Sequence, residues 1–310
     1  MKKSLFTLFA ALLLLAVACE KEGGKKVFPD PATKNEAVSI KFDKGEVLKL
    51  SLPEREKAGN PGSAKPGTSV PVEIAAIDLT ESSRYVLYIT KKANQAAPGK
   101  FAAVWTGKYT FSGDTYKLDG FGNISIKNNS RCLVDPVTTK AGGGAVIEID
   151  ATIVSFEASG VEAENLARCW KVNSTYIKLA GGSDNVSISK EFNGCDLHEI
   201  GSYLKSKGFT LSDSDVADLA GYNLDEIIII GNGTMIMNFD GPDPYYGTWS
   251  VRGERFSWGL SDGNKFISAT VTGSVSFPDN RQAVLLVDAN VSTSDDKYTG
   301  SIGLTMSPVN

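Results

Sequence analysis

The chain has 310 residues, of which 42% are hydrophobic, 22% charged and 9% aromatic, and it carries a formal net charge of -4. A nucleic-acid face needs clustered Lys and Arg, which this sequence does not show, so that ligand class drops out. A single histidine excludes zinc sites with two or three His ligands, and the length points to two domains.

Lys2 and Lys3 precede an apolar run, Leu5 to Val17, rich in Leu, Phe and Ala. At about thirteen residues it is too short to span a bilayer and has the length of a signal-peptide core. It ends in Leu15-Ala16-Val17-Ala18-Cys19, which resembles the bacterial lipobox. That resemblance implies cleavage after residue 18, lipidation of Cys19 and durable membrane attachment through its acyl chains. Residues 19–35, with Glu20-Lys21-Glu22-Gly23-Gly24-Lys25-Lys26, read as a flexible polar tether. The acidic residue after Cys19 resembles the surface-export signal of Bacteroidota lipoproteins, so the expected location is the outer membrane, at the cell surface or facing the periplasm. Cys132, Cys169 and Cys195 then remain in the mature chain. An odd number permits at most one internal disulfide, with Cys169 and Cys195 as the candidate pair and three reduced, buried thiols as the alternative.

From residue 36 the chain reads as short β runs between Gly, Asn, Asp and Pro turns. Gly107-Lys108-Tyr109-Thr110-Phe111-Ser112-Gly113-Asp114-Thr115-Tyr116 matches Gly247-Thr248-Trp249-Ser250-Val251-Arg252-Gly253-Glu254-Arg255-Phe256 in kind. Ala145 to Ala151 likewise matches Ala283 to Ala289. The self-similarity predicts two copies of one β unit, over 36–157 and 160–310. Two-residue turns at Gly113-Asp114 and Gly253-Glu254, of type II′, would set Phe111 against Tyr116, Tyr109 against Leu118, Val251 against Phe256 and Trp249 against Trp258. One face of each hairpin is then aromatic and aliphatic. The alternation of Ala283, Leu285 and Val287, and of Ile147, Ile149 and Ala151, predicts strands whose aliphatic face packs the core with Asp150 and Asp288 solvated opposite; the sharper reading is that the recurring small Ala side chains leave room for an apolar ligand.

The second copy carries a helical insertion. Asp196 can cap a helix over Leu197 to Lys205, with Leu197, Ile200 and Leu204 on one stripe and Gly208 as its stop. Ser212 or Asp213 can cap a second short helix before Gly221. The corresponding stretch of the first copy, Pro53 to Pro71, reads as a long loop.

Leu166-Ala167-Arg168-Cys169-Trp170-Lys171-Val172, with Gly247-Thr248-Trp249 and the Gly253 turn, resembles the lipocalin-like domains of Bacteroidota lipoproteins. The resemblance covers about 160–310, and the internal repeat extends it to the first half without the opening Trp. It implies an all-β protein of two tandem antiparallel barrel or sandwich units, with Trp170 as a packing residue closing one barrel end.

Signals for catalysis are sparse. Cys195 and His198 could form a nucleophile pair, Asp240 with Asp243 or Asp225 with Glu226 a glycosidase pair, and Asp262-Gly263-Asn264 a calcium-loop fragment. Each has a plainer role as a helix residue, cap or turn, and no phosphate-cradling Gly-rich loop occurs. The expectation is a protein without enzymatic activity, metal or cofactor. Its leading reading is a lipid-anchored binder holding a small hydrophobic or amphipathic ligand against Trp249, Val251, Phe256 and Trp258. The alternative is a structural or interaction lipoprotein, an accessory subunit of a surface complex, favoured by solid, ligand-free cores together with an exposed apolar patch.

Overall fold

The computed structural model describes residues 37–42, 47–55, 64–91, 103–136, 145–158, 160–182, 186–209, 211–239, 244–261, 269–279, 282–292 and 297–309. The signal segment, Cys19 and the tether lie outside them, as do Asp240, Asp243 and Asp262 to Asn264.

The first unit comprises β1 (Ala37–Phe42), β2 (Leu48–Arg55), β3 (Ala64–Leu79), β4 (Arg84–Lys91), β5 (Ala103–Ser112), β6 (Thr115–Leu118), β7 (Gly122–Asn128), β8 (Arg131–Pro136) and β9 (Ile147–Phe156). After a short helix, α1 (Val161–Leu166), come β10 (Cys169–Gly181) and β11 (Val186–Asn193). Two helices follow, α2 (Leu197–Ser206) and α3 (Asp213–Asp218). The rest is β12 (Leu224–Ile230), β13 (Thr234–Phe239), β14 (Tyr245–Arg252), β15 (Arg255–Ser261), β16 (Ala269–Asp279), β17 (Gln282–Ser292) and β18 (Lys297–Pro308).

Every strand pairing is antiparallel, most join sequence neighbours, and each unit closes on itself. In the first, β1 meets both β9 and β3, and β2 continues along the same edge of β3. In the second, β10 meets β18 along nearly its whole length, while β11 and β12 share its other edge. Counting β1 with β2 and β11 with β12 as broken strands, each unit is an eight-stranded closed barrel. The breaks differ in place: the first barrel interrupts its first strand, and the second interrupts its second strand to admit α2 and α3. Closure leaves few exposed edges for unwanted pairing.

The two hairpins hold the predicted register. Phe111 faces Tyr116 and Tyr109 faces Leu118 in the first barrel, as Val251 faces Phe256 and Trp249 faces Trp258 in the second. Gly113 and Gly253 have φ of 66° and 61°, which a side chain would resist, and these positions open the two-residue turns.

Three expectations need correction. Pro53 to Pro71 is not a loop in its described parts, since Pro53–Arg55 and Ala64–Pro71 belong to strands and pair as a hairpin. The Ala145 and Ala283 runs are not equivalent: the first lies on the eighth strand of its barrel and the second on the seventh. Their likeness comes from the shared alternation of any half-buried strand. Cys132, Cys169 and Cys195 are all free and buried, so the Cys169–Cys195 disulfide is absent and the reduced alternative holds.

Both predicted helices form for the stated reasons. The Asp196 carboxylate accepts from the His198 and Glu199 backbone N–H groups at 2.8 and 3.2 Å, satisfying two donors of the first turn of α2. Ser212 and Asp215 form a reciprocal capping box at the start of α3. No helix among the described residues is long and apolar enough to cross a membrane.

Candidate functional site

Three places gather the side chains singled out above or left over by the fold: the aromatic wall of the second barrel, the junction between the barrels, and the barrel mouth under α2.

The aromatic wall is core. Trp258 and Phe256 are 1% exposed, Trp249 is 8% exposed, and Val251 packs against the same cluster. Phe256 stacks on Trp249 at 6.3 Å between ring centroids and meets Trp258 edge-on at 5.5 Å. The Trp249 indole N–H donates to the Ile230 carbonyl at 2.8 Å, which fixes its ring. The Trp258 indole N–H is buried without a partner. Trp170 is fully buried and donates to the Leu166 carbonyl at 2.8 Å, tying β10 to the end of α1.

The junction between the barrels is also built from strands, and its signal lay in the sequence unread. Ile227-Ile228-Ile229-Ile230 is a continuous apolar run in an antiparallel strand, which requires both faces to be covered. Ile227 and Ile229 enter the barrel core, while Ile228 and Ile230 point outward into a separate cluster. Tyr85, Leu87 and Ile89 likewise enter the first core, and Val86 and Tyr88 join the outer cluster. Ala76, Val86, Tyr88 and Val104 thus pack against Cys169, Ile228, Ile230 and Ile236, welding β3, β4 and β5 to β10, β12 and β13.

Polar groups frame this apolar weld. Arg84 of the first barrel donates to Glu226 of the second in an ion pair. The Asn238 amide donates to the other Glu226 oxygen at 3.2 Å, and the Thr106 hydroxyl donates to the Asn238 carbonyl oxygen at 3.4 Å. On the far side, the Tyr88 hydroxyl and the Asn232 amide both donate to one Asp78 oxygen, at 2.7 and 2.9 Å. Burial, with the Asp78 charge added, raises the Tyr88 hydroxyl well above the usual phenol range. Burial also raises the Cys169 thiol, helped by Glu226 and opposed by Arg84.

The sequence-level catalytic pairs do not assemble. Cys195 is buried, whereas His198 is exposed on the outer face of α2. Asp225 and Glu226 are consecutive on β12, a strand where a helix end or turn was expected, and Glu226 is engaged by Arg84 and Asn238. Among the described residues, no group of three or more His, Cys, Asp and Glu could hold a metal ion.

A cavity of about 30 Å³ lies in the second barrel, lined by Thr175 and Ile177 of β10, Cys195, Leu197 and Ile200 of α2, Leu224, Met237, Phe239, Ile302 and Leu304. Its lining includes none of Trp249, Val251, Phe256 and Trp258. It has room for about two waters, far below the several hundred Å³ of a typical small-molecule site.

These features define the class of the molecule: an all-β protein of two tandem eight-stranded barrels joined face to face. No family model matches the chain, and no curated protein sequence does. Among solved structures it is similar to a double mutant of transferrin binding protein B, a vaccine antigen, from Haemophilus parasuis. The identity is 9%, over 92% of this chain and 78% of that one, with a TM-score of 0.23. It is also similar to HpuA from Kingella denitrificans, solved in complex with human haemoglobin, at 13% identity over 96% of this chain and 95% of that one, with a TM-score of 0.20. At these TM-scores the likeness carries no weight for function, and the fold class rests on the strand pairings themselves.

Proposed function

We propose that this chain is a non-catalytic interaction lipoprotein, held on the outer membrane through Cys19 and displayed at the cell surface, where its welded barrels dock as one body onto a protein partner. The observation that carries the reading is the filled interior. A second barrel whose described cavity is about 30 Å³, with the aromatic wall spent on packing, points to the outer surface as the working part. Rigidity adds to it, because a body that is already ordered loses little conformational freedom on docking. Phe111, Val146, Val154 and Leu286 are the large apolar side chains exposed among the described residues, and they give positions from which a partner's contact can be probed.

The test uses intact cells. A photo-crosslinking residue placed at Phe111 or Val154 should yield a discrete crosslinked protein, and externally added protease should shave the barrels from the cell. Cys19→Ser should release the chain from the membrane fraction. Barrels protected from protease in intact cells, or no crosslink from any exposed apolar position, would overturn the reading.

A further inference from the structure

The two hairpins that share a register differ in the residues flanking their turns. In the first barrel the pair beside Gly113-Asp114 is Ser112↔Thr115, and in the second the pair beside Gly253-Glu254 is Arg252↔Arg255. Val251 and Phe256 turn inward, so the two arginines project outward from neighbouring strands, and both are exposed. Like charges directly opposite one another in a sheet repel. Neither guanidinium has an ion pair or hydrogen bond among the described residues, whereas Arg84, Arg131 and Arg168 each face a carboxylate, on Glu226, on Glu148 with Asp150, and on Glu81 respectively. The chain carries a net charge of -4, so the pair does not belong to a generally basic surface. The duplicated hairpin is an internal control. Its first copy closes the same turn with two hydroxyls, so the fold does not require arginine here, yet the second copy bears an unfavourable pairing.

Register carries that pair into a longer outward row. Arg255 stands opposite Ser274 of β16, Ser274 opposite Leu286 of β17, and Leu286 opposite Gly303 of β18. Leu286 is 38% exposed, and a Cβ on Gly303 would stand 3.4 Å from its Cδ1, so the leucine lies over bare glycine backbone. At about 4.8 Å between strands, Arg252 and Leu286 are about 14 Å apart along the row. The weld to the first barrel uses β10, β12 and β13, which leaves this row on the side of the second barrel turned away from it.

Resting on the interaction reading above, we propose that the outward row Arg252, Arg255, Ser274 and Leu286 is the docking face of the second barrel. Its occupant is an acidic segment of a protein partner, which presents carboxylates to the arginine pair and covers Leu286 with an apolar side chain. Charge complementarity selects that occupant. Each guanidinium offers a planar fork that takes a carboxylate through two parallel N–H bonds, and the incoming negative charge removes the repulsion the free protein bears. A small oxyanion would use the arginines alone. A chain of about four extended residues spans the roughly 14 Å to Leu286 and uses both ends of the row. Covering Leu286 also excludes water from the neighbouring ion pairs, which are weak when fully solvated.

The experiment gives the second hairpin the first one's pair, Arg252→Ser with Arg255→Thr, in the full chain on intact cells, with a photo-crosslinking residue at Ser274. In the parent, position 274 should yield a protein adduct whose crosslinked peptide, mapped by mass spectrometry, carries more Asp and Glu than Lys and Arg. The double variant should cut the adduct at least tenfold, while Lys117→Gln, on the outer face of the first barrel, leaves it unchanged. The purified double variant should melt at the parent's temperature or above, because a repulsion has been removed. A lower melting temperature would make the arginines structural and overturn the proposal. An undiminished adduct, a lipid adduct or a crosslinked peptide without excess negative charge would overturn it too. Crosslinks confined to Phe111 or Val154 would sink this face and leave the docking reading standing, whereas no crosslink from any position would remove both.

Discussion

Arg84 and Glu226 come from different barrels and meet in an ion pair whose side chains are only 9% and 19% exposed. Each is the other's principal compensation for lost water, so removing one strands the other. Glu226→Ala should destabilise the junction by about 2–5 kcal/mol, as is typical when one partner of a shielded pair is deleted. In calorimetry, the single unfolding transition expected of a welded molecule should split or broaden. The double variant Arg84→Met, Glu226→Leu should recover much of the loss, because an apolar pair of similar volume suits the neighbouring isoleucines.

Gly231 gives an independent probe of the same junction. A methyl group there would come 2.8 Å from the Ala158 backbone nitrogen and 3.1 Å from the Glu81 carboxylate, both supplied from outside the second barrel. Backbone cannot move aside as a flexible side-chain tip does. Gly231→Ala should therefore push the units apart while each barrel keeps its own core. Limited proteolysis should gain a cut near residue 159, with far-ultraviolet circular dichroism unchanged at room temperature.

Much of this architecture was legible because alternation and turn chemistry are local. Gly113-Asp114 and Gly253-Glu254 dictate their own hairpins, and Asp196 and Ser212 mark their own helices. The equivalence of the Ala145 and Ala283 runs was not legible, since a half-buried strand repeats the same pattern wherever it falls in a barrel. The Cys169–Cys195 pairing failed for a related reason: shared membership of a domain says nothing of which face each residue occupies. Cys169 points into the junction and Cys195 into the second barrel. The junction itself was readable in principle, from Ile227 to Ile230 and Tyr85 to Ile89, where apolar residues run on without alternation. Trp249 and Trp258 were read correctly as inward-facing, yet an inward direction does not distinguish a packed wall from a ligand wall.

That distinction can be measured. Trp258→Ala and Phe256→Ala remove rings that are almost completely buried, and such truncations cost about 3–5 kcal/mol. Both variants should show lower urea midpoints of that order. Trp249→Ala should lose in addition the hydrogen bond to the Ile230 carbonyl. Unchanged midpoints in both variants would show that the aromatic wall contributes nothing to packing and would restore it as a candidate ligand wall.

Cys132 and Cys195 make the stability of the fold depend on alkali. Burial pushes both thiols up to about 11, with the Asp196 charge adding to the effect at Cys195 and the Thr175 hydroxyl opposing it. The unfolded chain releases these protons near pH 8.5, the ordinary thiol value, and the folded chain holds them until about pH 11. Unfolding above that point therefore releases protons and is favoured as pH rises. The thiols' contribution should be complete below about pH 8 and should decline between roughly pH 9 and 11. A Cys132→Ala, Cys195→Ala variant should be weaker at neutral pH, because two small cavities replace two sulfurs, but its urea midpoint should fall less between pH 7 and pH 10.5 than that of the parent. Parallel declines would assign the alkaline loss to other groups, with Tyr88 at the junction the first to test by Tyr88→Phe.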